Sequence, residues 1–512
     1  MPDDHPAPVR FDAADLSLFA AASHDVNPLH LSAAYARRTA FGERVVFGVL
    51  GALAALGRLS PQPGRSLAKL SVEFAGPMFE GVGYAVEVDE SSPLRAKVKL
   101  RDGRRVVLRL TARFRDGAAA ATPAWDALPP PRAEAADHPD AALVAGLSLA
   151  GRYAAAPSAL AALLARFELA PRGVGSRHAE ALLLSSYLVG MELPGRRALF
   201  SDLALDFDAA AAPADAPVDW SLSLDAMHAD FGMLSMALTT AVGGVASARG
   251  KVTAFARREL PAPGGDAVEA AVGRSERLLG KVALVTGASR GLGAAIAHAL
   301  ALQGCTVIGT YLSSAAEADA LAARLASTPG RFVAVQGDAG DATWAASMRA
   351  TIVAEHGRLD LLVCNACPAL RPLWIEPASV ARITEHVARS VAMVTVPLAH
   401  LLDLVAAQGG SAVVVSSSAV DDPPAEWPHY VASKCAVEAL ARVAAVEQPA
   451  ARVLVVRPPK LLTELVNTPL GRQDALAPED FAARLVRRLM DPGERTADGV
   501  IDLTRAAAPP SP

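Results

Sequence analysis

The chain has 512 residues, 52% of them hydrophobic and 20% charged, with a formal net charge of −4. That length is more than one core fills and points to about three domains, and the composition excludes a disordered chain. The lack of a basic excess excludes nucleic acid as a partner. Cys305, Cys364, Cys367 and Cys435 all lie late in the chain and suggest a reducing compartment without a disulfide framework. No basic-then-apolar leader opens the sequence and no run reaches the ~18 apolar residues of a membrane span, so a cytoplasmic protein without membrane contact is expected.

Two stretches read as linkers. Ala121 to Asp140 carries five prolines, Leu260 to Gly273 mixes proline with glycine, and neither shows apolar periodicity. They divide the chain into domains over 1–122, 141–259 and 276–506. In the first, a helix is expected over Phe11 to Ala22 and an apolar one over Val45 to Leu59. Strands follow at Ser66 to Phe74, Tyr84 to Val88, Ala96 to Leu100 and Val106 to Phe114, with a hairpin turn at Arg101-Asp102-Gly103. This order predicts a sheet wrapped around a helix.

The second domain repeats the first. An offset of 175 − 42 = 133 places Gly175 on Gly42, Arg177 on Arg44, Leu183 on Leu50, Gly190 on Gly57, Leu205 on Val72 and Phe207 on Phe74. Two similar helix-in-sheet units are predicted. The third domain alternates apolar strands, from Val282–Val285 to Val453–Val456, with helical runs, as a doubly wound parallel sheet does.

Asp25-Val26-Asn27-Pro28-Leu29-His30 puts a carboxylate and an imidazole a few residues apart around a proline, a pattern able to converge on one substrate proton and one water. The same residues also suit a helix cap with a surface histidine, and the pattern alone leaves both open. With Tyr35-Ala36, Phe41-Gly42 and Val45-Val46-x-Gly48 around it, the segment resembles the MaoC-like, (R)-specific enoyl hydratases and 3-hydroxyacyl dehydratases of hotdog fold. The resemblance implies that Asp25 and His30 carry the acid/base work and that Asn27 and the Gly48 N–H position the loop and the thioester carbonyl. Relatives have His-Gly where this chain has Phe47-Gly48. At the repeat offset Ser158 stands at Asp25 and Leu163 at His30, so the second half lacks the dyad and is expected to shape the acyl tunnel.

Lys281 to Ile296 reads as strand, glycine turn and helix; Gly287, Gly291 and Gly293 let the backbone approach a diphosphate at a helix N-terminus. Thr286-Gly287-x-x-x-Gly291-x-Gly293, Gly337-Asp338, Asn365-Ala366, Ser417, Tyr430-x-x-x-Lys434, Pro458 and Thr463 follow in the order found in short-chain dehydrogenases/reductases, which the last domain resembles. The resemblance implies Ser417, Tyr430 and Lys434 as catalytic residues, with Lys434 also holding the nicotinamide ribose. It places the cofactor on Gly287, Ser289, Arg290, Gly291, Gly293, Thr310, Asp338, Asn365, Pro458 and Thr463. Ser390 stands where relatives anchor a water relay with asparagine. No acid ends the second strand (Gly309-Thr310-Tyr311) and Arg290 lies in the turn, so NADPH is favoured. Cys364-x-x-Cys367 lacks a second ligand pair, so no metal is expected.

The expected whole is an α+β double hotdog followed by an α/β doubly wound Rossmann-type sheet. The expected activity is reduction of a 3-ketoacyl thioester and dehydration of the (R)-3-hydroxy product to a trans-2-enoyl thioester. The substrate would ride on acyl carrier protein or coenzyme A, in a homodimer or higher homo-oligomer. Two alternatives stay open: hydration then oxidation during degradation, or a reductase with a non-catalytic hotdog docking module.

Overall fold

A computed structural model describes residues 7–92, 94–117, 125–208, 215–260, 265–468, 471–491 and 500–501. The chain forms two compact units that meet in sequence at Glu259 and Leu260.

The first unit opens with helices α1 (Ala13–Ser23), α2 (Pro28–Leu31), α3 (Ala33–Ala36) and α4 (Gly48–Leu56), then strands β1 (Arg65–Glu73), β2 (Ala85–Ser92), β3 (Arg95–Asp102) and β4 (Arg105–Asp116). Then come β5 (Ser148–Tyr153), α5 (Pro157–Arg166), α6 (Ser176–Tyr187), β6 (Ala198–Phe207), β7 (Val218–His228), β8 (Met233–Val242) and β9 (Val245–Ala256). One nine-stranded sheet runs β2-β3-β4-β1-β6-β9-β8-β7-β5. Apart from β5, the order is mirrored about the antiparallel pair of β1 and β6, whose register sets Leu70 against Leu205 and Val72 against Leu203. The repeat in sequence is thus a repeat in space. Helix α4 is apolar on every side because it is enclosed, with Val49 through Leu56 all buried.

The proline-rich stretch expected as a linker is anchored where it is described. Trp125 is buried, donates its indole N–H to Ala155 O at 3.0 Å and lies under the Arg177 guanidinium, 4.1 Å from ring centroid to Cζ. Prolines remove periodicity without preventing single backbone pairings such as Ala136 N–H to Met191 O at 2.8 Å.

The second unit holds α7 (Gly265–Val272), β10 (Val282–Val285), α8 (Gly291–Leu302), β11 (Thr306–Tyr311), α9 (Ala315–Leu325), β12 (Arg331–Gln336), α10 (Ala342–His356) and β13 (Leu361–Cys364). It continues with α11 (Val380–Ala407), β14 (Ser411–Val415), α12 (Pro428–Glu447), β15 (Arg452–Val456), α13 (Pro478–Met490) and β16 (Val500–Ile501). All neighbours in the sheet β12-β11-β10-β13-β14-β15-β16 are parallel. The order reverses at β10, opening the crevice where such sheets bind ligands. Helix α7 corrects the second linker: Val268 and Val272 share a face, and Val268 is fully buried in the core with α8 and α13. Pro377–Ala407 is long and apolar enough to cross a membrane by length and composition; its α11 portion packs on β13, β14 and α12.

Replacing Trp125 by Ala is expected to destabilise the first unit by about 3–5 kcal/mol, the usual cost of truncating a buried tryptophan. A denaturant midpoint for that unit's transition unchanged from wild type would contradict the anchoring role.

Candidate active sites

Helix α1 ends at His24 in the left-handed region (φ 57°), and the chain turns directly into Asp25. The Asp25 carboxylate is buried. Its Oδ1 accepts the Asn27 N–H at 3.1 Å and its Oδ2 accepts the Ser186 hydroxyl at 2.8 Å. Burial raises its pKa to about 7, and these two hydrogen bonds only partly offset that. Asn27 caps α2 through Leu29 N–H (3.0 Å), while its amide donates to Gly190 O (2.8 Å) and Gly195 O (3.0 Å). It therefore holds the loop and has no donor left for a substrate.

His30 Nδ1 lies 2.6 Å from Val45 O. A carbonyl only accepts, so Nδ1 carries the proton and Nε2 is left as a base. Burial lowers this imidazole to about 4, and the Arg257 charge pushes the same way. Phe47, where relatives carry a histidine, stacks on the His30 ring at 3.9 Å and so replaces a polar neighbour with a packing one. Gly48 begins α4 and its N–H belongs to the first helical turn, which has no acceptor within the helix. A Cβ there would stand 2.8 Å from the Phe74 ring, so only glycine leaves that amide approachable.

Asp25, His30 and Gly48 line one cavity of about 260 Å³, walled by apolar side chains including Phe74, Val189 and Phe255. The second half supplies more than wall. Ser186 holds the dyad carboxylate, and a Cβ on Gly190 would lie 2.5 Å from Asp25 Oδ1. Gly190 sits in a π-helical turn, Leu188–Glu192, that continues α6. The repeat alignment also needs correcting at the dyad. Ser158 lies in the first turn of α5 and Leu163 in its buried face, whereas Glu168, left-handed like His24, places Leu169 opposite Asp25. The constant offset fails because the loop before α6 is shorter than the loop before α4, and the second half still has no dyad.

In the second unit, Gly287 (φ 67°) and Gly291 (φ 53°) carry the turn from β10 to α8. A Cβ on Gly293 would fall 2.1 Å from Gly287 O, so the turn packs too closely for any side chain. Ser289 is half-buried within it and Arg290 stands at the N-terminal end of α8 without a side-chain capping bond. Thr310 is buried and its hydroxyl accepts the Gly287 N–H at 3.2 Å, so it braces the turn instead of reaching outward. Asn365 donates to Thr286 O (3.1 Å) and Gly287 O (3.0 Å), tying β13 to the same turn. Asp338 accepts from Gly340 N–H at 2.9 Å and from Arg389, a partner the sequence motif does not announce. Thr463 lies against Gly291, and Pro458 O accepts the Ser418 N–H at 3.0 Å.

Tyr430 and Lys434 share one face of α12, with Lys434 Nζ 5.7 Å from the Tyr430 ring centroid. That ammonium is buried and donates to Val415 O at 2.8 Å. Of the three adjacent serines, Ser416 is buried with its hydroxyl on Glu438 at 2.6 Å, whereas Ser417 is half-buried with Oγ 3.2 Å from Ala419 N. Ser416 is thus tied up in the interior, and Ser417 and Ser418 are the two left partly accessible. Ser390 is buried on α11 with no partner for its hydroxyl.

Glu438, one turn beyond Lys434, also binds Arg457 through two nitrogens at 2.8 and 2.7 Å, and Arg457 binds Asp421. Because Ser416 precedes Ser417 and Arg457 precedes Pro458, this network fixes three site-bearing segments at once. Burial works against the Glu438 charge, yet its pKa lies below the ordinary value because the Arg457 and Ser416 hydrogen bonds outweigh it.

Among known proteins, the short chain dehydrogenase family matches residues 281–472 and the MaoC like domain matches residues 1–107. An uncharacterized oxidoreductase of Methylorubrum extorquens is 36% identical over 229 residues, covering 40% of this chain and 89% of the relative. The chain belongs to the short-chain dehydrogenase family. An L-rhamnose 1-dehydrogenase (NAD(P)(+)) of Sphingomonas is 32% identical over 228 residues, 41% of this chain and 89% of that enzyme. A 3-oxoacyl-[acyl-carrier-protein] reductase of Synechocystis is 42% identical over 89 residues, 17% of this chain and 36% of that one.

This short-chain dehydrogenase is thus an oxidoreductase that carries a MaoC-like domain at its N-terminus. The glycine cradle, closed to any Cβ at Gly293, fits the diphosphate of a nicotinamide dinucleotide. Among the described residues no group of three or more His, Cys, Asp or Glu could hold a metal, and Cys364 is a buried thiol raised to about 12 by burial.

Gly293→Ala is expected to weaken dinucleotide binding by about tenfold or more, equivalent to ~1.4 kcal/mol. Fluorescence titration with NADPH and NADH measures this; wild-type affinity in the variant would show that the cradle does not hold the diphosphate.

Proposed function

We propose that the protein is a bifunctional NADPH-dependent 3-ketoacyl-thioester reductase and (R)-3-hydroxyacyl-thioester dehydratase. Its product is a trans-2-enoyl thioester, carried on acyl carrier protein or coenzyme A in fatty-acid or polyketide type assembly. The observation that carries the reading is the placement of Asp25, His30 and Gly48 around one apolar cavity, where burial raises the acid to about 7 and lowers the imidazole to about 4. Near neutrality Asp25 keeps a proton to give and His30 Nε2 is free to take one.

Dehydration needs those two roles. His30 removes the C2 proton, Asp25 protonates the departing C3 hydroxyl, and the Gly48 amide at the N-terminus of α4 stabilises the negative charge that develops on the thioester oxygen. The apolar walls suit an acyl chain. The mirrored nine-stranded sheet, with a helix for each half, supports reading the first unit as a double hotdog.

The preceding step falls to the second unit. When bound, the nicotinamide supplies hydride to the C3 carbonyl. Ser417 donates a hydrogen bond to that oxygen, Tyr430 protonates it, and Lys434 orients the ribose and assists the phenol. Arg290 in the turn and the lack of an acid after Thr310 favour a 2′-phosphate, hence NADPH. Similarity to a 3-oxoacyl-[acyl-carrier-protein] reductase supports a thioester substrate. Val443 and Val446, exposed three residues apart on α12, suit an apolar contact between copies in a homodimer or higher homo-oligomer, and four unpaired cysteines suit a reducing, cytoplasmic setting.

Incubation with 3-ketoacyl thioesters on each carrier plus NADPH or NADH, with products read by mass, tests the whole reading. The enoyl thioester is the expected product; wild-type protein stopping at the 3-hydroxyacyl thioester would remove the dehydratase. Asp25→Asn and His30→Ala should each cut dehydration by about 10²–10⁴-fold, the usual worth of a positioned acid or base, while ketone reduction continues. The pH dependence follows from the same shifts. Unprotonated His30 prevails above about 4 and protonated Asp25 below about 7, so dehydration kcat/KM should be bell-shaped between those limits. A profile still rising through pH 8 would refute Asp25 as the acid.

A further inference from the structure

Like charges drawn together in a half-buried place are costly unless something answers them. In the first unit the guanidiniums of Arg196, Arg257 and Arg38 gather on one ring, their Cζ atoms 5.3, 5.4 and 5.9 Å from the centroid of Tyr35. The Tyr35 hydroxyl donates to Arg196 O and accepts from Arg257 Nη2, both at 2.9 Å. Arg257 Nη2 also donates to Arg196 O at 3.2 Å, while its Nε is buried without a partner. Both acceptors are neutral, and among the described residues no carboxylate pairs with Arg257. Arg196 reaches Asp137 at 3.6 Å, and Asp137 is shared with Arg197. The cluster stands at the rim of the dyad cavity. Tyr35 belongs to a core cluster with Leu29 and Val45, against which Phe41 and Leu199 pack, and those four line the cavity. Phe255 lines it too; Arg257, two residues on, falls on the same strand face about 7 Å further along. Its N–H bonds Arg197 O at 2.8 Å, so the pairing of β9 with β6 fixes the position. Arg38 is exposed and Arg196 and Arg257 are half-buried, so solvent and ligands reach the cluster.

We infer that Arg196 and Arg257, braced by Tyr35, bind the phosphate of the phosphopantetheine arm that brings an acyl thioester into the dyad cavity. The inference rests on reading the first unit as an acyl-thioester dehydratase. Coenzyme A and acyl carrier protein both present the acyl group on this arm. From its sulfur outward the arm is neutral, two amides and a hydroxyl on a short carbon chain, and the phosphate is its first charge. An apolar cavity therefore accepts the acyl end and the neutral arm, and the phosphate comes to lie at the rim, where the surplus of guanidinium stands. A guanidinium fork matches phosphate oxygens through two parallel N–H bonds, and Arg257 spends only Nη2 on the protein's own oxygens. Tyr35 holds the Arg257 fork by its hydroxyl and offers its ring face to all three cations, so the site is built before a ligand arrives. Arg196 and Arg257 both come from the second half of the unit. That half would then hold the carrier end of a substrate whose reacting end lies on the Asp25 and His30 of the first.

The test uses the full chain with saturating NADP+, which fills the dinucleotide cradle of the second unit and keeps coenzyme A out of it. Calorimetric titration with phosphopantetheine, coenzyme A and phosphate-free pantetheine compares wild type with Arg196→Gln and Arg257→Gln. Each substitution should weaken phosphopantetheine and coenzyme A by about tenfold and leave pantetheine unchanged. No phosphopantetheine binding by wild type, an undiminished affinity in both variants, or an equal loss for pantetheine would overturn the site. Arg105 also lines the cavity, so a phosphate-dependent loss in Arg105→Gln with none in the other two would overturn it as well. Hydration of a crotonyl thioester gives a second readout. In both variants KM should rise with kcat nearly unchanged for the thioester on coenzyme A or acyl carrier protein, and neither should change for its N-acetylcysteamine thioester, which has no phosphate. A rise on both carriers fits the phosphate they share, and a rise on one identifies that carrier as its source. Wild-type protein that hydrates none of these thioesters would defeat the dehydratase reading, and the titrations would still decide the phosphate site.

Discussion

The antiparallel pairing of β1 with β6 is the constraint on which the first unit depends. Lys69 through Glu73 bond to Asp206 through Asp202, with an ion pair between Lys69 and Asp206 at 2.8 Å on the outer face. This pairing joins two half-sheets into one and leaves no open edge between them. It also fixes α6 relative to the loop after α1. Because of that placement a hydroxyl from one half meets a carboxylate from the other, and Gly190 is small enough to let the carboxylate in. The dyad belongs to the first half by sequence and to both halves by geometry.

Burial does the electrostatic tuning in both units, with different compensation. Asp25 has two hydrogen bonds, at 3.1 and 2.8 Å, and no cation, so burial outweighs them and raises it to about 7. Glu438 is as hidden by exposure but faces Arg457 in a two-point grip, so the charged form wins. The first arrangement leaves a carboxyl that keeps its proton up to about neutrality. The second creates a rigid strut that holds Ser417, Lys434 and Pro458 in place, where stability of the charged state matters and proton exchange does not.

What was readable in sequence follows from the range of the forces involved. The glycine turn, the Asp25 to His30 loop and the Tyr430 to Lys434 spacing are each set by a few consecutive residues, so residue type and spacing carry them. Ser186 and Asp25 are 161 residues apart, and nothing local to Ser186 distinguishes it from Ser185, whose hydroxyl turns back to its own helix at Leu182 O. Arg389 and Arg457 acquire meaning only from the carboxylates opposite them. Strand ends were similarly underread: β4 runs to Asp116 because its pairing with β1 continues past the last apolar residue. The Pro- and Gly-rich segments misled in the opposite direction. Trp125 is one deep anchor and Val268 with Val272 only a pair, too few to make a periodicity.

The two halves of the first unit have diverged in a physically coherent way. Each keeps a helix followed by a left-handed residue, His24 directly after α1 and Glu168 two residues after α5, at which the chain turns away from the helix. After the turn they differ. In the first half a buried acid follows, supported across the interface, and the loop is long enough to hold a second ionisable group over the cavity. In the second half Leu169 follows and is fully buried, the loop is short, and the buried carboxylate of Glu180 is held by Arg177 at 2.6 Å. An acid with a hydroxyl partner in a cavity can exchange a proton with a ligand; Glu180 is likewise raised to about 7 by burial, but it is held by the Arg177 guanidinium that lies over Trp125 and does not line that cavity. The second half has no such pair of ionisable groups, and its Ser186 and Gly190 instead complete the surroundings of Asp25 in the cavity of the first.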